Sequence, residues 1–143
     1  GVSVAGVGDL NGDGVVDLVV GAIYDDTGGA NRGAVHLLFM TVGGTVASSV
    51  KIASGTAGLG GLADGDRFGV SVAGVGDLNG DGVVDLVVGA IYDDTGGANR
   101  GAVHLLFMTV GGTVASSVKI ASGTAGLGGL ADGDRFGVSV AGV

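Results

Sequence analysis

The chain repeats itself without a single substitution. "GVSVAGVGDL" opens at Gly1 and returns at Gly69, and its first seven residues return once more at Gly137, a period of 68 residues both times. Two copies, 1–68 and 69–136, leave a remainder at 137–143 that has the sequence of residues 1–7. Whatever one copy folds into, the other must fold into as well. Neighbouring copies must also pack on one another, because a short repeat cannot bury its apolar surface alone. Natural repeats drift, so complete identity points to an engineered sequence or to a very recent amplification.

Each repeat contains four runs that read as strands. In "FGVSVAGV" (68–75), bulky Phe68, Val70 and Val72 alternate with small Gly69, Ser71 and Ala73. "DLVVGAIY" (17–24) and "GAVHLLFM" (33–40) are apolar on both faces, as strands covered on both sides should be. After a "TVGGT" turn, "VASSVKIA" (46–53) puts Val46, Val50 and Ile52 on one face and Lys51 on the other, a common protection for an edge strand. The 34 glycines among 143 residues would elsewhere suggest disorder. Here 46% of residues are hydrophobic, and the mean hydropathy of +0.63 supplies ample surface to bury.

These runs predict an all-β chain of two four-stranded antiparallel blades of a β-propeller, repeat 1 over 1–68 and repeat 2 over 69–136. Two blades cannot close a ring, which takes about four to eight. The expectation is therefore a ring closed by oligomerisation or a place in a longer array. The preferred assembly is a homotetramer of eight blades, with a trimer of six as the alternative. Residues 137–143 read as the first strand of a third blade. They and residues 1–7 of a neighbouring copy cannot share one position, so one of the two should be displaced unless the chain is part of a longer one.

Between the first two strands lies "GDLNGDGVVDL" (8–18), repeated at 76–86. Side-chain oxygens fall at Asp9, Asn11, Asp13 and Asp17, the first, third, fifth and ninth positions of a loop, and the carbonyl of Val15 can add another. The second copy offers Asp77, Asn79, Asp81, Val83 and Asp85. Calcium takes about six to eight oxygen ligands, and alternating positions in a curled loop aim oxygens at one point. Gly14 and Gly82 permit the sharp bend. Magnesium, which demands a tighter octahedron, suits the spacing less well. A metal-free turn is the competing reading, since Asp, Asn and Gly favour turns in any case. Three converging carboxylates without a cation would repel one another, which favours one Ca2+ per repeat, two per chain. This is no EF-hand: position 12 is Val20 rather than glutamate, and a strand rather than a helix leaves the loop.

The stretch "DRFGVSVAGVGDLNGDGVVDLVVGAIYDD" (66–94) resembles the FG-GAP repeat of integrin α-subunit propellers and bacterial surface proteins. Its "FG" is Phe68-Gly69, and Gly89-Ala90 stands for "GA", with Ile91 where proline is usual. "NRGAVHLLFM", "VASSVKIASGTAGL" and "LADGDRFG" are similar to the long bacterial version. The resemblance spans essentially the whole chain. It implies a propeller with calcium in the hairpin loop, held by Asp77, Asn79, Asp81, Val83 and Asp85 and by their partners in the first copy. It also implies an extracellular or cell-surface parent. Ile91 and Ile23 bear only on the turn after the second strand. The integrin propeller has seven blades, which two does not divide, so a closed assembly of this chain should differ from it.

Other features narrow the functional classes. All fourteen acids are aspartate, and the net charge of −8 excludes a phosphate-binding surface, so no nucleic-acid partner is expected. No run approaches a membrane-spanning helix, no signal peptide opens the sequence, and membrane insertion is not expected. With no cysteine there is no disulfide or thiolate chemistry. His36 and His104 lie in strands without a nucleophile or partner beside them, so packing rather than catalysis is expected. Tyr24, Asp25, Asp26 and Arg32 flank a glycine-rich loop that reads as a solvated connection with an Arg–Asp pair. Asp64, Asp66 and Arg67 read similarly, although Asp64 or Asp66 could complete a metal shell. The functional expectation is a calcium-binding, self-associating structural propeller without an evolved ligand. The alternative is an extracellular adhesion module whose rim loops contact protein or glycan.

Overall fold

A computed structural model describes residues 1–142. Val143, the last residue of the third-blade remainder, lies outside the described residues. Alternating apolar residues and tight glycine turns give eight strands: β1 Ser3–Gly8, β2 Asp17–Ala22, β3 Ala34–Met40, β4 Val46–Ala53, β5 Phe68–Gly76, β6 Asp85–Ala90, β7 Ala102–Met108 and β8 Val114–Ala121. They form two separate antiparallel meanders, β1-β2-β3-β4 and β5-β6-β7-β8. These are two propeller blades, as the strand reading predicts. The second strand stops at Ala22, where Ile23 and Tyr24 turn out of the ladder. A register shift between Gly6 and Gly8 ends the β1–β2 pairing just before the carboxylate loop, and Gly8 takes a φ of 79° there.

The core sits between the blades rather than within either of them. From the first blade it takes Val7, Leu10, Val19, Val35, Leu37, Phe39, Ile52, Leu59 and Leu62. From the second it takes Phe68, Val72, Leu86, Val88, Ala90, Leu106, Met108 and Val114. No position of the repeat appears twice. Identical sequences thus present opposite faces, and β2 and β3 are not buried on both sides as their composition predicts. Leu18, Val20, Leu38 and Met40, on the outer face of the first blade, stay half-buried. Their counterparts Leu86, Val88, Leu106 and Met108 are sealed against the neighbouring blade.

The blades meet most closely where glycines replace side chains. A β-carbon on Gly21 would lie 1.8 Å from the carbonyl oxygen of Gly69, so only glycine fits. Ser3 Oγ donates to that same carbonyl at 2.8 Å. Main-chain bonds add to this contact, from Phe68 N to Arg32 O at 2.9 Å and from Val114 N to Ala57 O at 2.7 Å. Residues 133–142 repeat the contact on the opposite side of the second blade. Phe136 N donates to Arg100 O at 2.8 Å, and Gly101 and Phe136 form a parallel bridge as Gly33 and Phe68 do. The segment follows the path of the start of a further blade but is not a strand of either sheet.

Candidate functional site

The β1–β2 hairpin carries the carboxylate loop at one end of the blade. Asp9 organises its first half: Oδ1 accepts from the amides of Gly12 at 2.7 Å and Asp13 at 3.0 Å, and Oδ2 from Gly14 at 2.7 Å. Asp13 accepts from Val15 N at 2.9 Å and from Asn11 Nδ2 at 3.2 Å. Gly12 and Gly14 take φ values of 79° and 84°, which allows this succession of amides to curl around one side chain. The second loop repeats the pattern, with Asp77 accepting from Gly80, Asp81 and Gly82. The Gly82 amide leads these in holding the Asp77 carboxyl below its usual value.

Asp17 and Asp85 have a different place. Each opens the second strand of its blade, and each is fully buried. Asp17 accepts from Leu10 N at 3.0 Å and from Met40 N at 3.1 Å, tying the loop to the end of β3. Asp85 does the same with Leu78 and Met108. None of the ion pairs among the described residues reaches either carboxylate. A buried carboxylate without a counter-charge is costly even when amides satisfy it.

The predicted ligands are thus gathered on one loop. Asp9, Asn11 and Asp13 form one hydrogen-bonded curl, and Asp17 is bonded to the same loop through Leu10 N. Among the described residues no three acidic, histidine or cysteine side chains converge as a metal cluster. The donor set nevertheless fits a hard cation. Each carboxylate has about four lone-pair sites, and the amide bonds leave some of them free on every one.

The rim loops resolve into specific pairs. Arg32 bonds Asp64 at 2.7 Å and Ser54 Oγ at 3.2 Å, rather than Asp25 or Asp26 beside it. Asp25 instead pairs with Lys51 at 2.6 Å, so the edge lysine is tied down. Burial pushes the Asp25 carboxyl up, but the bonds from Lys51 and Thr27 prevail and bring it down to about 2. Asp66 is buried against the Ala63 amide at 2.9 Å, away from either carboxylate loop, and its burial raises its pKa. His104 lies edge-on to Phe68 at 5.3 Å, and its Nε2 is buried with no hydrogen-bond partner among the described residues.

One constellation was not legible in the sequence. The guanidinium of Arg67 lies between two rings, 5.1 Å from the centroid of Tyr24 and 4.6 Å from that of Tyr92, and Arg135 follows at 5.2 Å from Tyr92. The residues of each Arg–Tyr pair are 25 or 43 apart in the chain, so only the stacking of blades brings them together. Arg67 and Arg135 share a left-handed backbone, with φ of 55° and 53°.

The FG-GAP repeat model matches residues 1–38 and 68–106, more than half of the chain. The chain belongs to the FG-GAP repeat family. Among curated proteins, integrin alpha-5 of Xenopus laevis is 38% identical over 101 residues, which is 71% of this chain and 9% of that protein. Human integrin alpha-6 is 42% identical over 89 residues, or 62% of this chain and 7% of its own length. Mouse integrin alpha-3 is 32% identical over 149 residues, spanning 98% of this chain and 12% of that protein. The chain thus spans less than a tenth of the first two relatives and little more of the third.

The two dipeptides that give the family its name meet in the structure. Phe68-Gly69, the "FG" of one FG-GAP repeat, lies on Gly21-Ala22, the "GA" of the preceding one. A β-carbon on Gly69 would come within 3.3 Å of the Gly21 Cα. The motif's two halves are therefore a contact between blades, and Ile23 and Ile91 stand outside it.

Proposed function

We propose that this chain is a calcium-stabilised β-propeller module with a structural role rather than an enzyme. The observation that carries the calcium reading is the full burial of Asp17 and Asp85 without a basic partner among the described residues, each hydrogen-bonded to a loop rich in oxygen ligands. A cation bound by Asp9, Asn11, Asp13, the Val15 carbonyl and Asp17 would supply the missing charge and fasten the hairpin to β3. Asp77, Asn79, Asp81, Val83 and Asp85 would do the same in the second blade. About seven coordinating oxygens are within the reach of such a set, since carboxylates bind calcium in one- or two-oxygen modes and water completes the shell.

The structural reading is favoured over the adhesion one by the rim. Asp25–Arg32 and Asp93–Arg100 are identical in sequence and repeat the same internal bonds, from Thr27 N to Asp25 and from Thr95 N to Asp93. A ligand site on one part of a propeller needs loops that differ from blade to blade. The same identity supports an engineered or newly amplified origin.

Thermal unfolding in excess calcium and in EDTA tests the reading. Ligand binding to the folded state stabilises it by mass action, so the midpoint should fall on chelation and recover when calcium is restored. An unfolding curve that neither EDTA nor calcium moves would refute it.

A further inference from the structure

The interface between the two blades has two different halves, and the chain carries a second, unmatched copy of each. Leu37 on the trailing face of the first blade is fully buried against the second, whereas Leu105, its counterpart one repeat later, is only half-buried. On the leading face the order reverses: Leu106 is fully buried and Leu38 half-buried. The same asymmetry marks the rim of the interface, where Val114 is 5% exposed and Val46 is 50% exposed. The trailing face of the second blade is an apolar hollow of about 650 Å³, partly lined by residues 134–142. Within the chain the matching hollow is filled by the next blade, so the fold itself displays the shape that completes it.

We propose that the chain associates head to tail with a second copy of itself, the Leu105 face of one chain receiving the Leu38 face of the next as Leu37 receives Leu106. Two further observations agree with this contact. Ala125 repeats the left-handed turn of Ala57, with φ of 51° and 50°, and so holds a carbonyl ready for Val46 of the next copy as Ala57 does for Val114. The Tyr24–Arg67–Tyr92–Arg135 ladder ends on an arginine at one side and, at the other, on a tyrosine that is 63% exposed. Arg135 of one copy continues it onto Tyr24 of the next.

A head-to-tail contact is heterologous, so repetition either closes a ring or grows a filament. The twist between successive blades of a propeller closes the ring, and four copies give eight blades, three giving six. The incoming residues 1–6 and the resident 137–142 are the same hexapeptide, so one strand is released where two copies meet. The inference rests on the blade architecture and not on calcium, and both arms of the test are run with calcium present.

Native mass spectrometry of the intact chain should give a closed species of four copies, or of three, and a monomer would overturn the proposal. Leu38→Arg and Leu105→Arg each block one half and should be monomeric alone. Mixed in equal amounts they should form a dimer through the two unaltered halves. Dimerisation of either variant by itself would reveal a symmetrical contact and overturn the proposal. The chain has no cysteine, so Val46→Cys and Ala125→Cys provide a second test that leaves both apolar faces intact. A short thiol cross-linker should join the two variants to each other, and joining each only to itself would refute the contact even if the arginine variants fail to fold.

Discussion

The Ser71 hydroxyl donates a 2.7 Å hydrogen bond to the carbonyl of Gly137, and Ser3, one repeat earlier, donates one of 2.8 Å to Gly69. The same small side chain holds the start of the following segment at both places. Ser71 is buried, so Ser71→Ala leaves a carbonyl without its donor. The expected loss is about 1 kcal/mol in urea unfolding. Ser3→Ala should cost a similar or smaller amount, because that site is more open.

Gly21→Ala should be far more damaging. The added methyl would lie 1.8 Å from Gly69 O and 2.4 Å from Ser3 Oγ, and backbone cannot yield as a flexible side chain does. Overpacking of this kind costs ~3 kcal/mol. Gly60→Ala is the matched control, since nothing lies within 4 Å of the place its methyl would take and its φ is not left-handed. It should unfold like the parent.

Arg67→Ala removes the cation held between Tyr24 and Tyr92. Cation–π contacts at such partly exposed places contribute ~0.5–1 kcal/mol each, so a loss of about 1 kcal/mol is expected. Replacing Arg135, which stacks on Tyr92 alone, should cost about half as much. Chemical unfolding of the two variants under identical conditions measures the difference.

His104 makes stability depend on pH. Burial, aided by the charge of Lys119 and opposed by that of Asp93, lowers it from 6.5 to about 4. The unfolded chain takes up a proton at the higher pH, so stability should fall as pH drops from 6.5 towards 4. The expected loss is about 2 kcal/mol between about pH 7 and 5. Asp66, raised by burial, acts in the opposite sense as it protonates, and Asp93, which burial pushes up, is brought below its usual value by its bonds with Lys119 and Thr95. Comparison with His104→Gln isolates the histidine, since the variant should lose this part of the slope.

Asp17→Asn separates the two tasks assigned to that residue. An amide can accept with only one of its two ends, so one of the bonds from Leu10 and Met40 is lost even in EDTA, at a cost of about 1–3 kcal/mol. Asp13→Asn, on the exposed part of the loop, should change little in EDTA. It should instead reduce the stabilisation gained from calcium.

Much of the fold was legible because its signals are local. Period-two alternation in "FGVSVAGV", β-branched runs such as "DLVVGA" and glycine turns define strands from neighbours in the chain, and the strand ranges agree to within a few residues. The loop at Asp9–Asp17 was legible for the same reason, as a spacing of oxygens along a hairpin. Its internal arrangement was not. Nothing in the spacing distinguishes Asp9, wrapped in amides at the surface, from Asp17, buried against Met40. That difference is made by β3, which approaches from 23 residues away. Proximity along the chain likewise favours the neighbouring aspartates as partners of Arg32, yet a folded-back loop brings Asp64 to it instead.

By itself the sequence determined two identical four-stranded blades, each with an oxygen-rich loop between its first two strands, because alternation, turn chemistry and repetition are properties of short segments. Only the tertiary structure decided that Leu37 is buried while Leu105 is not, that Gly21 must remain glycine, and that Arg67 lies between two tyrosines. The reason is directional stacking. Identical blades packed face to back place each repeat position in two different environments, and an environment made by the neighbouring blade leaves no mark on the residues of the one it covers.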